Sequence, residues 1–251
     1  MKNRLIPKTW MVLLIAVFLL SCSSIPWISK DKEVVEKKEK PSALEKISGK
    51  VAVLQGDTDI WVGATKMMEV FQGDQIRTLG NSRVQVKLPD DHKLVIGENS
   101  VVKLKEIVSD SEENRHIALT DLTKGGIWAK VDNPASFIEK LQGKDILMEF
   151  KFKISAPNTS AFPLGTKFVV MYLQDNSVLI SSCKGDLEIS GPGGSLLIPE
   201  RHFSTVEGNN PPDPIRTAEY IEERKDDPNY KFCFSCHNEN FKDWDLNRAF
   251  E

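Results

Sequence analysis

Arg83-Val84-Gln85-Val86-Lys87-Leu88 sets Val84, Val86 and Leu88 on one side of an extended backbone and Arg83, Gln85 and Lys87 on the other. Side chains alternate in this way along a β-strand, so the stretch reads as a strand with one face in a core and one in water. Phe150-Lys151-Phe152-Lys153-Ile154 repeats the alternation. Outward from these two lie shorter candidates at Lys50 to Leu54, Lys93 to Ile96, Val101 to Lys105, Ile127 to Val131, Lys167 to Tyr172, Ser177 to Ile180 and Asp186 to Ile189. Turn-forming clusters separate most of them, among them Gln55-Gly56-Asp57, Pro89-Asp90-Asp91, Gly97-Glu98-Asn99, Gln174-Asp175-Asn176 and Gly191 to Gly194. Short strands with a turn about every ten residues predict an all-β fold of antiparallel strands, a sandwich or a solenoid. One helical insertion is expected at Pro134 to Leu141, capped by Asn133, with Phe137, Ile138 and Leu141 facing the core.

The chain has 251 residues, 40% of them hydrophobic, enough for one large domain or two small ones with a core of their own. Its 33 Lys and Arg against 36 Asp and Glu lack the basic excess that nucleic-acid binding leaves, so no nucleic-acid partner is expected. No Ser/His/Asp, Cys/His or paired-carboxylate arrangement stands out, and His92, His116 and His202 read as isolated surface or turn residues. A non-enzymatic protein is expected.

Several of the strand-and-turn segments share a further pattern. Gly49-Lys50-Val51 is followed by Gly73-Asp74-Gln75-Ile76-Arg77-Thr78, by Val84 to Asp91, and by Leu94-Val95-Ile96-Gly97-Glu98-Asn99-Ser100-Val101-Val102-Lys103-Leu104. Lys124-Gly125-Gly126-Ile127-Trp128-Ala129, Ile154-Ser155-Ala156-Pro157 and Gly165-Thr166-Lys167-Phe168-Val169-Val170 continue it. Over roughly residues 47–190 the chain resembles the FecR domain family, with Gly73 to Thr78 the most specific segment. The resemblance implies an extracytoplasmic, non-enzymatic β domain; in the iron-uptake regulators that name the family it is the periplasmic half of a transmembrane anti-sigma protein. Two positions depart from the family pattern. His92 replaces the glycine of an Asp-Gly turn, and Ala161-Phe162-Pro163-Leu164 stands where an arginine usually precedes Gly-Thr. The motif also has a purely structural reading, with Asp74 accepting backbone N–H bonds in a turn and Arg77-Thr78 leading into the next strand.

The N-terminus carries Lys2, Arg4 and Lys8, then an apolar run from Trp10 to Leu20, then Ser21-Cys22. The run is too short for a transmembrane helix, which takes about 20 residues, and reads as a signal peptide over 1–21. Leu19-Leu20-Ser21-Cys22 resembles the bacterial lipobox, which implies lipidation of Cys22, cleavage before it, and a membrane partner through the lipid anchor. Cleavage removes three positive charges and no negative ones, so the net charge moves from -3 to -6 and the anchor is greasy rather than electrostatic. Ser23, rather than an aspartate after the lipidated cysteine, points to the outer membrane and its periplasmic face. Residues 22–46 mix Lys, Glu and Pro and read as a charged tether, with a short helix near Ser42 to Glu45.

After the β domain, assigned to 47–208, the tail 209–251 opens on Asn209-Asn210-Pro211-Pro212-Asp213-Pro214. Asp213 as N-cap and Pro214 at the first helical position predict a charged helix over Ile215 to Lys225. Beyond it, Cys233-x-x-Cys236-His237 has the form of a c-type haem attachment site. The two thiols would bond the porphyrin vinyl groups and His237 would be the proximal iron ligand, giving one covalent haem c for electron transfer or redox sensing. Two other uses fit the same residues: a Cys233–Cys236 disulfide, or zinc held with His237. Cys183 is then the odd thiol, at the end of a strand. The function expected is a lipid-anchored envelope protein with a FecR-like binding or signalling domain, whose envelope protein partner the sequence does not identify.

Overall fold

A computed structural model of the chain describes residues 41–56, 58–110, 112–132 and 149–217. The strands in chain order begin β1 (Ser42–Ser48), β2 (Val51–Leu54), β3 (Trp61–Gly63), β4 (Glu69–Val70), β5 (Gln75–Thr78), β6 (Arg83–Lys87), β7 (Lys93–Ile96), β8 (Val101–Asp110) and β9 (Arg115–Lys130). They continue β10 (Glu149–Ala156), β11 (Thr159–Pro163), β12 (Lys167–Tyr172), β13 (Ser177–Lys184), β14 (Leu187–Gly191), β15 (Gly194–Ile198), β16 (His202–Glu207) and β17 (Arg216–Thr217). The fold is all-β. The predicted helix at Pro134 to Leu141 and the tail beyond Thr217 lie outside the described residues.

Pairing sorts the strands into two ladders that meet in β9. One runs β4-β1-β6-β7-β9-β12-β13-β16-β17. The other runs β3-β2-β5-β8-β9-β10-β11-β14-β15. We call them ladders A and B. Every pair is antiparallel except β9 with β10, which is parallel, so the chain between them is a crossover rather than a hairpin.

β9 changes ladder at its glycines. Lys124 still pairs with Val101 of ladder B, whereas Gly125 pairs with Tyr172 of ladder A. Gly125 has φ +78°, and a Cβ there would lie 2.1 Å from Ser100 Oγ and 2.7 Å from Ser100 Cα. Only glycine fits that bend. Ser100 fastens it, since its Oγ accepts the Gly126 N–H at 2.9 Å.

One apolar core receives side chains from both ladders: Leu44, Val84, Leu94, Ile127, Phe168 and Ile180 from A, and Val53, Ile76, Val102, Ile154 and Ile189 from B. The ladders thus share a core as the two layers of a sandwich do. Val84, Val86 and Leu88 face it, as the opening alternation predicts.

Three expectations need correction. Ser42 to Glu45 is strand, not a short helix ending a tether. Ser42 and Leu44 alternate into the core at 1% and 0% exposure, and β1 gains ladder bonds to β4 and β6 that a single helical turn could not offset. At the other end Arg216–Thr217 pairs with β16 instead of opening a helix, so the sheet extends past both assigned bounds, 47 and 208. Asp213 serves β16 there: its N–H donates to Thr205 O at 2.8 Å and its carboxylate accepts the Thr205 hydroxyl.

The third correction concerns the face of β6 assigned to water. Gln85 is 2% exposed, and its amide donates to the Glu45 carboxylate. It heads a cross-strand row on the outer face of ladder A, Gln85-Val95-Trp128-Val169-Ser181-Phe203, all buried. The central strands β7, β9 and β12 carry apolar residues on both faces, and so bury both.

Candidate functional site

The Gly73 to Thr78 motif is a brace. Asp74 is 4% exposed; its Oδ1 accepts the Gly56 N–H and its Oδ2 the Phe71 N–H, each at 2.9 Å. One carboxylate therefore joins the turn after β2 to the turn before β5. The backbone around it is held by β8, with Gly73 N–H donating to Leu104 O and Leu104 N–H to Asp74 O. Thr78 Oγ1 donates to Gly97 O at 2.5 Å and accepts the Ser100 N–H at 3.0 Å, which ties β5 to the loop before β8. Arg77 places its guanidinium 4.3 Å above the centre of the Trp61 ring, a cation–π contact that holds β3 against the sheet.

What the motif braces is an apolar end. β3 and β4 terminate the two ladders among the described residues, and beside them Ile60, Val62, Met67 and Phe71 are 71%, 44%, 62% and 41% exposed. Val62 lies on β3 and the other three flank β3 or β4, and large apolar side chains exposed on and beside edge strands are usual marks of a protein-binding surface. Sequence reasoning passed over them, because Trp61-Val62-Gly63 is too short to show a period. The signal was in the motif itself, whose Arg77 has the ring of Trp61 to stack on.

A second cluster gathers residues that looked unrelated in sequence. His92, expected as a surface or turn residue, does close the Pro89–Asp91 turn but is 3% exposed, edge-on to Phe150 at 5.8 Å and Phe152 at 5.5 Å. The Asp132 N–H donates to its Nδ1 at 3.4 Å. Burial pushes its pKa below the ordinary 6.5, against the opposing pull of Asp90, Asp132 and Asp91, with His116 acting in the same direction as burial. Beside it Asp90 takes Ser109 Oγ on one carboxylate oxygen and His116 Nδ1 on the other, both at 2.8 Å. Serine and histidine converge on the carboxylate, so this is not a nucleophile–base relay. The clamp pins the Pro89–Asp91 turn, where Asp90 has φ 62°, onto β8 and β9. The hollow among these residues has a volume of about 10 Å³, room for one water-sized sphere and no organic substrate.

The sites assigned from sequence, Cys22 and the set Cys233, Cys236 and His237, lie outside the described residues. Among the described residues no three His, Cys, Asp or Glu are grouped to hold a metal. Cys183 is described, and it is not an odd thiol: it is disulfide-bonded. It occupies the bulge of β13, skipped where Lys167 pairs with Lys184 and Phe168 with Ser182. A bulge re-aims a side chain out of the ladder, which suits a cross-link to another part of the chain.

The family model for FecR protein matches residues 74–188. It begins inside the brace, at Asp74, and ends in β14. Two crystal structures of a candidate anti-sigma factor from Parabacteroides distasonis are similar to this chain, at 18% and 15% identity and TM-scores of 0.43 and 0.42. Each match covers 57% of this chain and 59% of the other. No curated protein matches.

Proposed function

We propose that this chain is a non-enzymatic binding and signalling module of the bacterial cell envelope, held at the periplasmic face of a membrane, the outer one, by lipid on Cys22. The observation that carries the reading is the FecR match over 74–188, whose most specific segment braces the apolar end formed by β3 and β4. A partner protein docks on Ile60, Val62 and Met67, with the edge backbones of β3 and β4 beside it. Photo-crosslinking in cells tests this, with the reactive group at Val62 or Met67 and at Leu197, an exposed residue on β15 at the other end of ladder B. A discrete adduct from the first two positions and none from the third is expected; equal yields refute the site. Acyl labelling of the full chain, lost in Cys22→Ser, tests the anchor.

The spacing Cys233-x-x-Cys236-His237 favours a second reading of the tail, one covalent haem c with His237 as proximal ligand. The haem would supply one-electron chemistry, and the chain would supply two thioether bonds and an imidazole. Expression beside haem-maturation machinery tests it, and the absence of a covalent Soret-absorbing species with intact thiols refutes it. The disulfide at Cys183 draws on the same supply of sulfur. The chain has four cysteines, so acylation of Cys22 and haem on both tail thiols would leave Cys183 without a partner.

A further inference from the structure

The outer face of ladder B, the one turned from the core, is basic where β8, β9 and β10 lie side by side. Val102 and Leu104 of β8, Ala118 and Leu122 of β9, and Phe152 and Ile154 of β10 take the core side. The alternation therefore sends Lys103, Asp121, Lys151 and Lys153 outward. Lys105, at the irregularity of β8 between Leu104 and Glu106, joins them, since its ammonium lies 3.6 Å from the Asp121 carboxylate. On the same face Arg115 pairs with Glu149 at 2.9 Å. With those two pairs closed, Lys103, Lys151 and Lys153 have no ion-pair partner among the described residues, and Glu106 is the one carboxylate left over on this side of the three strands. The chain as a whole leans the other way, with 36 Asp and Glu against 33 Lys and Arg.

The same strands offer no apolar anchor on this side. Ile117 and Leu119 of β9 point outward, yet they are only 5% and 8% exposed. Their partners in register on β10 are Lys151 and Lys153. Lysine stems lie along apolar surface in this way while the ammonium stays in water. Among the described residues, no exposed large apolar side chain belongs to β8, β9 or β10. A protein partner takes most of its affinity from large side chains seated in pockets, and this face has none to give or receive. A fluid layer of anionic headgroups needs only the charges. Lys151 and Lys153 stand two residues apart, about 7 Å, and Lys103 lies two strand spacings from β10, about 10 Å, so all three reach one plane together.

We infer that the outer face of ladder B rests on an anionic phospholipid surface, with Lys103, Lys151 and Lys153 against the phosphates. The inference builds on the anchored reading above, because lipid on Cys22 would hold the domain at high effective concentration beside a bilayer. Each lysine so placed is worth about a fivefold gain in partitioning. The anchor then supplies residence, and the face supplies orientation. A sheet laid on this face keeps β3, the end strand of ladder B, at its rim, which leaves Val62 open to a partner alongside.

The test uses the full chain, as purified from bacterial membranes, on vesicles of phosphatidylcholine alone or of phosphatidylcholine and phosphatidylglycerol in equal parts. Lysine acetylation read by mass spectrometry should find Lys103, Lys151 and Lys153 protected severalfold on the mixed vesicles and not on the neutral ones. Lys184, exposed at the end of β13 in ladder A, should react equally on both. Salt at about 0.5 M should abolish the protection. Lys151→Glu with Lys153→Glu should raise the anionic lipid needed to protect Lys103 at least about tenfold, with the far-ultraviolet β spectrum unchanged; should that pair misfold, Lys151→Gln with Lys153→Gln gives a smaller shift of the same sign. Equal protection on both vesicles, protection that survives salt, or none on the mixed vesicles overturns the face. Protection in intact cells that vesicles do not reproduce overturns it too and assigns the lysines to an acidic macromolecule. Attachment to neutral vesicles, lost in Cys22→Ser, reports the anchor instead. The Cys22→Ser chain titrated with mixed vesicles still reads the face, so anchor and face fail separately.

Discussion

Replacing Asp74 tests whether the most specific family segment is a brace. Asp74→Ala removes both acceptors at once and leaves the N–H groups of Gly56 and Phe71 facing a space once filled by a carboxylate. A hydrogen bond to a charged acceptor is worth about 1.5–3 kcal/mol. Both N–H groups are only partly buried, so water recovers part of each, and the pair should cost about 2–4 kcal/mol. For a domain of this size that lowers the melting midpoint by roughly 5–15 °C. Asp74→Asn keeps one oxygen but turns an NH2 toward the second N–H, so it should recover less than half of the loss. Urea unfolding followed by Trp fluorescence and by far-ultraviolet dichroism gives both numbers. Because the brace holds β3, crosslinking from Val62 should weaken in the same variants below their midpoints. Asp74→Ala within about 0.5 kcal/mol of the parent would refute the argument, since two charged hydrogen bonds cannot vanish at so small a cost.

Gly125→Ala should cost about 2–4 kcal/mol, read from the urea midpoint, because φ +78° strains any side chain and the new Cβ meets Ser100 backbone at 2.7 Å; an unchanged midpoint would sink the corner assigned to β9. His92 has its folded pKa lowered by burial, so on acidification below pH 6.5 the unfolded chain takes up the proton before the folded one does. Its contribution to stability should therefore fall with pH, by up to about 1.4 kcal/mol per unit, until the folded pKa is passed, and His92→Phe should flatten that slope between pH 7.5 and 5.5. Asp175 accepts the Ser177 hydroxyl and N–H in the turn between β12 and β13, which lowers its pKa, and Asp175→Ala should cost under about 1 kcal/mol because the turn is solvated. A loss as large as that of Asp74→Ala would contradict the ranking by burial.

The strand pattern was legible where one face of a strand meets water and the other a core. Val84, Val86 and Leu88 obey it, and Asn99 and Asn176, in turns read from the sequence, adopt the φ of 53° and 65° that Asn tolerates. It failed at Ser42-Ala43-Leu44-Glu45, where charged neighbours suggested a solvated tether and only the partners β4 and β6 make a strand worthwhile. His92 escaped for a related reason. Its burial comes from Phe150 and Phe152, which lie more than fifty positions away and meet it only through the parallel pairing of β9 with β10. Non-local pairings of this kind leave no local periodicity to read.

The cysteines show the same limit. Spacing alone separates Cys233-x-x-Cys236-His237 as a unit and leaves Cys183 over, because a sequence scores neighbours and Cys183 has none. The fold shows what spacing does not, a cross-linked Cys183 at the bulge of β13. Haem attachment would consume both tail thiols, so one chain with an acylated Cys22 could not also hold a disulfide at Cys183 within itself. The order of events in the envelope then decides the state of the protein. Thiols oxidised before haem arrives would be withdrawn from it, and the fraction of chains with Cys183 cross-linked should rise when haem supply is cut and fall when the oxidant is.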